Sequence, residues 1–421
     1  MKASPFQVVL TAIFIIALVG GVIVLALTKA KNGSVNSVTV VIWGTMDTAA
    51  FNDSVSNLTL GTNGYKIEYI QKIEAAFDQD LIEALASGVG PDAILLPQDK
   101  IIKYRDKILP FSYNIMPLRD FKDTFIQEAE LYIDSEGVVA LPFTVDPLVM
   151  YWNRDSLTNI GESLPPKTWD QFITLVPRLS VKDANSNILK SGVALGEFKN
   201  ITNAFEIISA ILLQAGSPIT QYGPDGLMGA LSPTLATIGA VNFYTDFANP
   251  LKPDYSWNRA LINSRDMFAS GDLAFYFGFA SEMSKIRDRN SNLNFDVTYF
   301  PQPKGASILT TFGKMQGLAV LKSSQNQASA VSLLIAMTAP DTINLLSSRT
   351  GLPPVRRSML VADPKDPYQA IFYNSALRAK AWVDPNSSNS RAAFQNMIES
   401  ITSGEAGVGD AITIAGKSLR N

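Results

Sequence analysis

The chain contains no histidine and no cysteine among its 421 residues. The missing cysteine excludes disulfide frameworks, thiolate metal sites and a lipid anchor on an N-terminal cysteine. The missing histidine excludes Ser-His-Asp and Cys-His nucleophile systems, imidazole metal ligands and the usual side-chain switch between pH 5 and 8. What remains is chemistry by carboxylates, Lys, Tyr or Ser, catalysis with an oxygen-ligated metal, or no catalysis.

The chain also lacks an excess of positive charge. Its 35 Lys and Arg residues stand against 38 Asp and Glu residues, for a formal net charge of −3. A protein that holds a nucleic-acid backbone needs a basic surface, so we expect no nucleic-acid partner. The length predicts two to three domains, because single cores stop growing at roughly 250–300 residues.

One long uncharged segment lies near the start of the chain. Val8–Leu27 has no charged side chain, and Thr11 is its one polar side chain. At about 1.5 Å per residue a helix of this length spans roughly 30 Å, the thickness of a bilayer core. The small-residue sites after it, 26–28 and 28–30, are poor for signal cleavage. We therefore expect an uncleaved transmembrane anchor over 8–28, with a removed signal peptide or a buried soluble helix as the alternatives.

The residues around the anchor complete this N-terminal region. Residues 1–7 form a short flank, and residues 29–37 are rich in Gly, Ser and Asn, which predicts a flexible tether. Lys2 lies before the anchor, whereas Lys29 and Lys31 lie after it. Because orientation follows the difference in basic residues between the two sides, charge alone does not decide which side carries the body.

From residue 38 onward, strand and helix signals alternate. Val38–Trp43 is a β-branched run typical of a buried parallel strand, and Lys66–Gln71 alternates like a second strand. Apolar residues recur at helical spacing between residues 76 and 87. A short apolar run over 92–97 follows a Gly-Pro break. This βαβ rhythm predicts an α/β fold.

Further helices are predicted by caps and by apolar periodicity. Thr168, with a glutamine three residues later, forms a capping box. Ser232 followed by Pro233 predicts an N-cap and a first helical position. Two longer helices are predicted over Asn200–Ala215 and Ser324–Ala339.

Three motif-like stretches do not support a cofactor or a metal. The glycines at 88–93 follow a helix and precede a strand, the reverse of what a phosphate on a helix N-terminus requires. The stretches 183–187 and 288–292 begin like calcium loops but lack the glycine and the final glutamate of that motif. We expect no cofactor and no metal.

Aromatic residues beside amides and small residues recur at the predicted ends of elements. Such rings suit a neutral polyol, whose C–H faces stack on the ring while its hydroxyls bond to polar groups. In open α/β sheets, loops at the carboxyl ends of strands are where ligands bind. Taken singly, each aromatic is better explained as a core residue. The segments are Trp43-Gly44-Thr45, Tyr151-Trp152-Asn153, Trp257, Tyr276-Phe277-Gly278-Phe279 and Trp382.

Taken together, segments along the chain resemble the extracellular solute-binding proteins of ABC importers, family 1, the carbohydrate-binding, maltose-binding-protein-like group. In order and spacing they cover nearly all of the chain from Val38 onward. The departures are the missing lipid-bearing cysteine and the predicted uncleaved helix. The segments are Asp78–Pro97, Gly137–Asn153, Pro165–Phe172, Met267–Gly278, Phe300–Lys304 with Gly317–Lys322, and Gly351–Arg357.

The resemblance implies a type II periplasmic-binding-protein-like α/β fold with two discontinuous lobes, joined by hinge strands and preceded by the transmembrane helix. The lobes would close over a ligand held in the cleft between them. Hinge crossings are expected near Pro142–Asp146, Tyr299–Gln302 and Gly351. The implied boundaries are 38–145 with 302–350 for the first lobe and 146–301 with 351–421 for the second lobe.

The resemblance also implies which residues face the ligand. The expected cleft residues are Trp43, Gly44 and Thr45 at the edge of the first lobe, Thr144, Asp146 and Tyr151 in and just after the hinge, and Trp257, Phe277, Gly278 and Phe279 as the stacking surface of the second lobe. Two charged residues have two interpretations each. Asp92 either reaches a ligand hydroxyl or caps the preceding loop, and Arg356 either contacts ligand or forms a salt bridge with the adjacent lobe.

The implied function is capture of a sugar or oligosaccharide by a membrane-tethered, monomeric binding protein that delivers it to ABC permease subunits. The body would lie on the extracellular or periplasmic side, and ligand would shift the population toward the closed state. One alternative is a sensor ectodomain or surface attachment protein without transport. The other is a glycosidase that uses two of Asp92, Asp146 and Glu282. No acidic motif singles out such a pair, so we expect no enzyme.

Overall fold

The computed structural model describes residues 38–59, 66–224, 226–362 and 364–419. The predicted anchor Val8–Leu27 and the tether 29–37 lie outside these residues. Within them, no single helix is long and apolar enough to cross a membrane, although one consecutive helix pair, Gln327–Met337 with Pro340–Thr350, meets that test jointly across a 66° bend.

The described residues contain fifteen strands, labelled β1 to β15 in chain order. They are β1 Thr39–Gly44, β2 Lys66–Gln71, β3 Ala93–Pro97, β4 Ile108–Leu109, β5 Ile133–Asp134, β6 Gly137–Val138, β7 Leu141–Asn153, β8 Val181–Lys182, β9 Ile188–Val193, β10 Thr220–Gly223, β11 Gly226–Gly229, β12 Leu273–Phe279, β13 Phe295–Tyr299, β14 Thr311–Leu321 and β15 Ala379–Lys380.

Seventeen α-helices alternate with these strands in the same residues. They are α1 Thr48–Ser54, α2 Ser56–Thr59, α3 Glu74–Ala86, α4 Ile101–Tyr104, α5 Leu118–Thr124, α6 Arg154–Asn159, α7 Trp169–Leu179, α8 Ala204–Gln214, α9 Leu235–Asp246, α10 Ser264–Ser270, α11 Glu282–Arg289, α12 Gln327–Met337, α13 Pro340–Thr350, α14 Arg357–Leu360, α15 Pro367–Leu377, α16 Ser387–Thr402 and α17 Val408–Ser418. Two 3-10 helices cover Gln98–Lys100 and Gln127–Tyr132.

Eleven of the described strands join one mixed sheet. Its main order is β2-β1-β3-β14-β7-β12-β9-β8, while β13 pairs with β7, and β4 and β15 pair with β14. Strand β1 is parallel to both β2 and β3, whereas β14 is antiparallel to β3 and β7. The carboxyl ends of β1, β2 and β3 therefore meet at one edge of the sheet.

Two separate buried clusters divide this sheet into a first and a second lobe. The first cluster contains Val145 of β7 and Met315 of β14, and the second contains Leu148 of β7 and Phe312 of β14. Both long strands therefore pass from one lobe to the other within a few residues. The architecture is the two-lobed α/β fold that was predicted.

The two crossings lie side by side and form what we call the hinge, residues 146–147 of β7 and 313–314 of β14. In the antiparallel register, Gly313 lies opposite Pro147 and Lys314 lies opposite Asp146. Along β14, the passage from the second lobe to the first lies about ten residues after the predicted crossing near Tyr299–Gln302.

The segment that follows Gly351 contributes to both lobes. Val355 and Leu360 belong to the first cluster, whereas Phe372 belongs to the second. Strand β15 pairs in parallel with the start of β14, and the buried core residues from Trp382 onward belong to the second cluster. The exact lobe boundaries stay predictions.

The local predictions agree with the described elements at most positions. Strands β1 to β3 and helix α3 begin and end within two residues of the predicted bounds. Thr168 is the N-cap, and its hydroxyl accepts from the amide of Gln171. The Gln171 side chain accepts from the amide of Lys167 instead of that of Thr168, so the predicted capping box forms only in its first half. The predicted N-cap Ser232 is wrong: Thr234 caps α9 instead, because its hydroxyl accepts from the amide of Thr237 at 3.2 Å.

Candidate ligand-binding cleft

A cavity of about 390 Å³ lies between the two lobes. On the first lobe, its wall contains Thr45, directly after β1, and residues 98–100, directly after β3. Phe77 of α3 adds an apolar side chain to this wall. Because β1 and β3 are parallel, the loops that follow them meet at the same sheet edge, where ligands bind in open α/β sheets.

The opposite wall is formed by the N-terminal parts of two helices of the second lobe. Phe205 and Glu206 come from the start of α8, and Ser387, Ser388 and Arg391 come from the start of α16. Both helices thus direct their N-terminal ends toward the cavity. The hinge strand β14 closes the cavity between the two walls with residues 312 and 314–316.

Glu206, Lys314 and Arg391 form an ionic group that we call the cleft cluster. Oε1 of Glu206 lies 2.9 Å from Nζ of Lys314 and 3.0 Å from a guanidinium nitrogen of Arg391. The Lys314 ammonium also lies 4.2 Å from the ring centre of Phe279, and the Arg391 guanidinium lies 4.9 Å from that of Phe205. The rings and the carboxylate together orient both cations.

The carboxylate of Glu206 keeps its negative charge although it is 3% exposed. Burial opposes ionisation, but the charges of Lys314 and Arg391 outweigh it and hold the pKa of Glu206 below its usual value. Oε2 is buried and has no hydrogen-bond partner among the described residues. A buried acceptor without a partner costs free energy, so this oxygen is the natural acceptor for a ligand donor.

Asp99 adds a second carboxyl from the first lobe. Its pKa is raised, chiefly by burial, although Lys100, the Ser387 hydroxyl and Lys314 act in the opposite direction. Since Ser387 belongs to the second lobe, Asp99 and Ser387 lie close together across the cleft. The cleft therefore presents carboxyl acceptors from both lobes.

Lys100 forms an ion pair with Asp78 at the first-lobe wall. Its ammonium lies 2.7 Å from Asp78, which also accepts from Lys103 and Tyr104. Burial alone would raise the pKa of Asp78, but these three donors lower it to about 2. The positive charge of Lys100 is thus balanced locally.

Chemically, the cleft combines donors, acceptors and apolar faces. Lys314 and Arg391 are about half exposed and keep N–H groups for a ligand, while Oε2 of Glu206 accepts. Phe77, Phe205 and Phe312 supply apolar surface. Hydroxyl groups both donate and accept, so this set suits a polyol. No group of three or more acidic side chains able to hold a metal ion occurs in the residues that the structure describes.

Of the residues expected in the cleft, Thr45 is the one on the wall of the cavity. Its neighbour Trp43 is buried at the end of β1, with the ammonium of Lys72 at 3.8 Å from its ring centre. Gly44 allows close packing, since a Cβ there would lie 2.6 Å from Cδ1 of Leu95. Trp43 and Gly44 therefore support the loop that carries Thr45.

Three expected aromatic contacts are core residues of the second lobe. Tyr151 and Trp257 are fully buried; the Tyr151 hydroxyl donates to the carbonyl of Phe279 at 2.7 Å, and the Trp257 indole donates to Asn200 at 3.1 Å. Phe277 packs edge-on against Trp169. Their contacts are those of the core alternative, and a role in ligand binding stays a prediction.

Other expected residues lie at or beside the hinge. Thr144 is buried opposite Gln316, and Asp146 accepts from the amide of Ser281 at 3.1 Å. Burial raises the pKa of Asp146 to about 6. Phe279 lies beneath the ammonium of Lys314, and a Cβ at Gly278 would meet the Tyr276 ring at 2.5 Å.

The two charged residues with alternative interpretations lie within the first lobe. Asp92 accepts from the amide of Val41 at 2.9 Å and from the Ser324 hydroxyl at 2.5 Å, contacts typical of a structural cap. Arg356 donates to the carbonyl of Thr338 at 2.7 Å and lies over the ring of Phe125. A ligand contact by either residue stays a prediction.

Of the polar wall residues that did not emerge from the sequence, four carry the chemistry of the cleft. Asp99 lies two residues after the end of β3, and Thr45 directly follows β1. This position after a buried strand is the sequence feature that could have identified Asp99. Glu206 is the one charged residue in the apolar helix α8, and Lys314 is the one in β14. Arg391 lies in a helix rich in serine and asparagine, where nothing distinguishes it from a solvated cation.

Comparison with known proteins gives a family and a set of structural neighbours. A sequence model of the family described as bacterial extracellular solute-binding protein matches residues 48–371. No curated protein sequence matches the chain. The family is one of binding proteins, in agreement with the prediction that the chain is not an enzyme.

Solved structures share the two-lobed fold over most of this chain. A cyclo/maltodextrin-binding protein complexed with maltotetraose is 16% identical with a TM-score of 0.74, and 90% of this chain and 96% of that chain are covered. The cyclic alpha-maltosyl-1,6-maltose binding protein from Arthrobacter globiformis is 19% identical with a TM-score of 0.75, covering 91% and 98%. An ABC substrate-binding protein from Listeria monocytogenes in complex with cycloalternan is 14% identical with a TM-score of 0.69, covering 90% and 97%. At these identities the likeness shows the fold.

Proposed function

We propose that this chain, which belongs to the bacterial extracellular solute-binding protein family, binds a sugar or oligosaccharide in the cleft between its lobes. The observation that carries the proposal is the cleft cluster. Glu206 holds two cations in place through Oε1, and Oε2 has no partner within the described part of the chain. A saccharide hydroxyl can donate to this oxygen and accept from Arg391 or Lys314 at the same time.

The similar structures in complex with maltotetraose and cycloalternan support a saccharide as the solute. The apolar wall supports it as well, because Phe77, Phe205 and Phe312 can pack against the C–H faces of a sugar ring. The volume of about 390 Å³ lies toward the lower end of the range for small-molecule sites. We therefore expect a short saccharide, or one end of a longer one, to fill the enclosed part of the cleft.

Binding would act through closure of the lobes. Residues of the first lobe, such as Asp99, and residues of the second lobe, such as Glu206, contact one ligand together only when the cleft is closed. A ligand with such contacts shifts the population toward the closed state. The hinge on β7 and β14 supplies the few residues that have to bend.

The closed form would then deliver the sugar to ABC permease subunits, with Val8–Leu27 as membrane anchor and the body outside the membrane. The family is extracellular by its description, which supports this side for the body. The anchor replaces the lipidated cysteine that the chain lacks. A sensor or surface attachment protein without transport is the alternative for the same cleft.

Isothermal calorimetry of the chain against a panel of neutral mono- and oligosaccharides tests the proposal, with amino acids, short peptides and polyamines as comparison ligands. We expect saturable binding of one saccharide class, with one site per chain. Saturable binding confined to the amino acids, peptides or polyamines, or no binding across the panel, would refute it.

Copurification from intact membranes separates transport from attachment. We expect the full-length chain to retain two permease subunits after mild detergent extraction, and more of them when the bound saccharide is present. Retention of a signalling kinase, with no permease, would favour the sensor alternative.

A further inference from the structure

A second buried glutamate lies at the hinge and takes no part in the cleft. Glu128 belongs to the 3-10 helix Gln127–Tyr132 and is 2% exposed. Neither of its carboxyl oxygens has a hydrogen-bond partner among the described residues. Burying a charged carboxylate without a partner is very costly, so such a group takes up a proton instead.

The carboxyl group packs directly against the hinge. A Cβ placed on Gly313 would lie 2.0 Å from Oε2 of Glu128, so residue 313 has to be glycine for this contact to exist. Gly313 is the position on β14 where the buried cluster changes from the second lobe to the first. Movement of the lobes about this position therefore changes the surroundings of Glu128.

A neighbouring amide fixes the backbone at the same place. The side chain of Gln98 donates to the carbonyl of Gly313 at 2.7 Å and accepts from the amide of Met315 at 3.0 Å. The Gln98 amide is thus bound to the hinge strand on both sides of Lys314. Gln98 also acts on the carboxyl of Glu128 and lowers its pKa, but less strongly than burial raises it.

Several titratable or charged groups surround Glu128. The 3-10 helix packs against α5, β7, β14 and β15. On its own turn, Glu130 pairs with Lys122 of α5 at 3.0 Å. The charged residues of the four neighbouring elements are Arg119, Asp120, Lys122, Asp123, Asp146, Lys314 and Lys380. Of these, Asp146 acts on Glu128 and disfavours a second negative charge. Tyr132, on the same 3-10 helix, donates its hydroxyl to the carbonyl of Leu96. Burial first, and Asp146 next, raise the pKa of Glu128 to about 8 against the effect of Gln98.

We propose that Glu128 is a positioning residue that couples closure of the lobes to uptake of a proton. In this conformation, residues of both lobes line the cavity and Asp99 lies beside Ser387 across the cleft, which we take as the closed form. In this form Glu128 holds its proton. Opening at Gly313 admits water to the carboxyl group, which then releases the proton and stabilises the open form. This inference goes beyond solute capture and holds for any ligand of the cleft.

The direction of the pH dependence follows from linkage. The closed form binds the extra proton, so closure is most favoured at low pH and is lost as the pH rises toward the pKa of about 8 in this conformation. One proton changes the ratio of closed to open molecules by at most tenfold per pH unit. The chain has no His or Cys, so it has no side chain whose usual pKa lies between 7 and 8. A change in lobe distance within that pH range can therefore be assigned to Glu128.

The test measures the distance between the lobes in the ligand-free, full-length protein. Because the chain has no cysteine, exposed Ala75 beside the first-lobe wall and exposed Asn389 on α16 can be changed to cysteine and labelled for energy transfer. We expect the mean distance to increase as the pH rises from 6 to 8 and to level off above that. Glu128→Gln should keep the short distance throughout, since its side chain is always neutral.

Glu197→Gln is the matched control, because Glu197 is a buried glutamate of the second lobe that is paired with Arg259. It should retain the wild-type profile. A distance that does not change from pH 6 to 9, or a Glu128→Gln profile equal to that of the wild type, would overturn the proposal. No saccharide is used, so a failure to bind sugars leaves this test intact and refutes only the proposed function. Circular dichroism of Glu128→Gln verifies that the variant is folded.

Discussion

Glu206 and Glu128 are two buried glutamates of one chain with opposite charge states. Their exposures are 3% and 2%, so burial does not distinguish them. Glu206 has two cations at about 3 Å, and its pKa lies below the usual value. Glu128 has no partner among the described residues, and its pKa is raised to about 8. The comparison shows that the neighbours of a buried carboxyl, more than its depth, decide whether it is ionised.

The difference also separates two tasks in the same molecule. The ionised glutamate lies on the wall of the cleft, where a fixed charge and a free oxygen favour recognition of a polar ligand. The neutral glutamate lies against Gly313 at the hinge, where its protonation depends on whether water reaches it. Ligand recognition and lobe movement thus rest on different carboxyl groups.

The largest expected effect is on ligand affinity. Glu206→Gln removes the charged acceptor and leaves Lys314 and Arg391 without their shared partner. A hydrogen bond to a charged group contributes about 1.5–3 kcal/mol, which corresponds to a loss of roughly 10- to 150-fold in affinity for the best saccharide of the panel. Calorimetry measures the change, with Glu399→Gln of α16 as the control. Unchanged affinity in Glu206→Gln would show that Glu206 does not contact the ligand.

The next effect concerns packing at the hinge. Gly313→Ala places a methyl group where Oε2 of Glu128 lies, and overpacking of this kind costs about 1–3 kcal/mol of unfolding free energy. Denaturant unfolding should show this loss. In the double variant with Glu128→Ala, part of the loss should disappear because the clashing carboxyl is gone. Strict additivity of the two changes would mean that the residues do not interact.

A third effect is the pH dependence of stability. The folded-state pKa of Glu128, about 8, lies above the usual value of 4.5. Its contribution is therefore complete below pH 4.5 and is lost as the pH rises to 8. Between pH 6 and 8 the wild type should lose about 2 kcal/mol relative to Glu128→Gln, measured by denaturant unfolding.

Glu206 should show the opposite behaviour in acid. Its folded-state pKa is lowered, so its contribution is present above the usual value and is lost as the pH falls through the folded value. Glu206→Gln should therefore reduce the stability loss in the acid range and leave the slope between pH 6 and 8 unchanged. An altered slope there would contradict the assignment of that range to Glu128.

The smallest effect is expected for an ion pair outside both regions. Glu399 lies 3.4 Å from Lys199, whose side chain is 71% exposed. Exposed pairs contribute about 0–1 kcal/mol, so Glu399→Gln should change the unfolding free energy by less than about 0.5 kcal/mol. A cost as large as that of Gly313→Ala would contradict the small contribution expected of this exposed ion pair.

The fold could be predicted from the sequence because its signals are local. The β-branched run of β1, the alternation of β2 and the helical spacing in α3 each follow from a few adjacent residues. The N-cap at Thr168 is local as well. The N-cap at Ser232 was wrong because two hydroxyl residues, Ser232 and Thr234, compete for the same helix end, and hydrogen-bond geometry decides between them.

The site could be predicted only in part, since burial is a property of the folded chain. Trp257 and Tyr151 have the aromatic side chains expected of ligand-stacking residues, yet both are fully buried. Glu206 and Arg391 are separated by 185 residues and meet only in the folded protein. Thr45 was expected at the cleft from the family resemblance and from its position directly after a buried strand; it lies on the cavity wall, and its contact with ligand stays a prediction.

The most direct measurement is a crystal structure of the chain with the saccharide that binds most tightly in the panel. The account predicts a sugar between the lobes, with a hydroxyl within hydrogen-bond distance of Oε2 of Glu206 and another that accepts from Arg391 or Lys314. A saccharide bound outside the cavity, or one inside it that leaves Oε2 of Glu206 without a partner, would contradict the account.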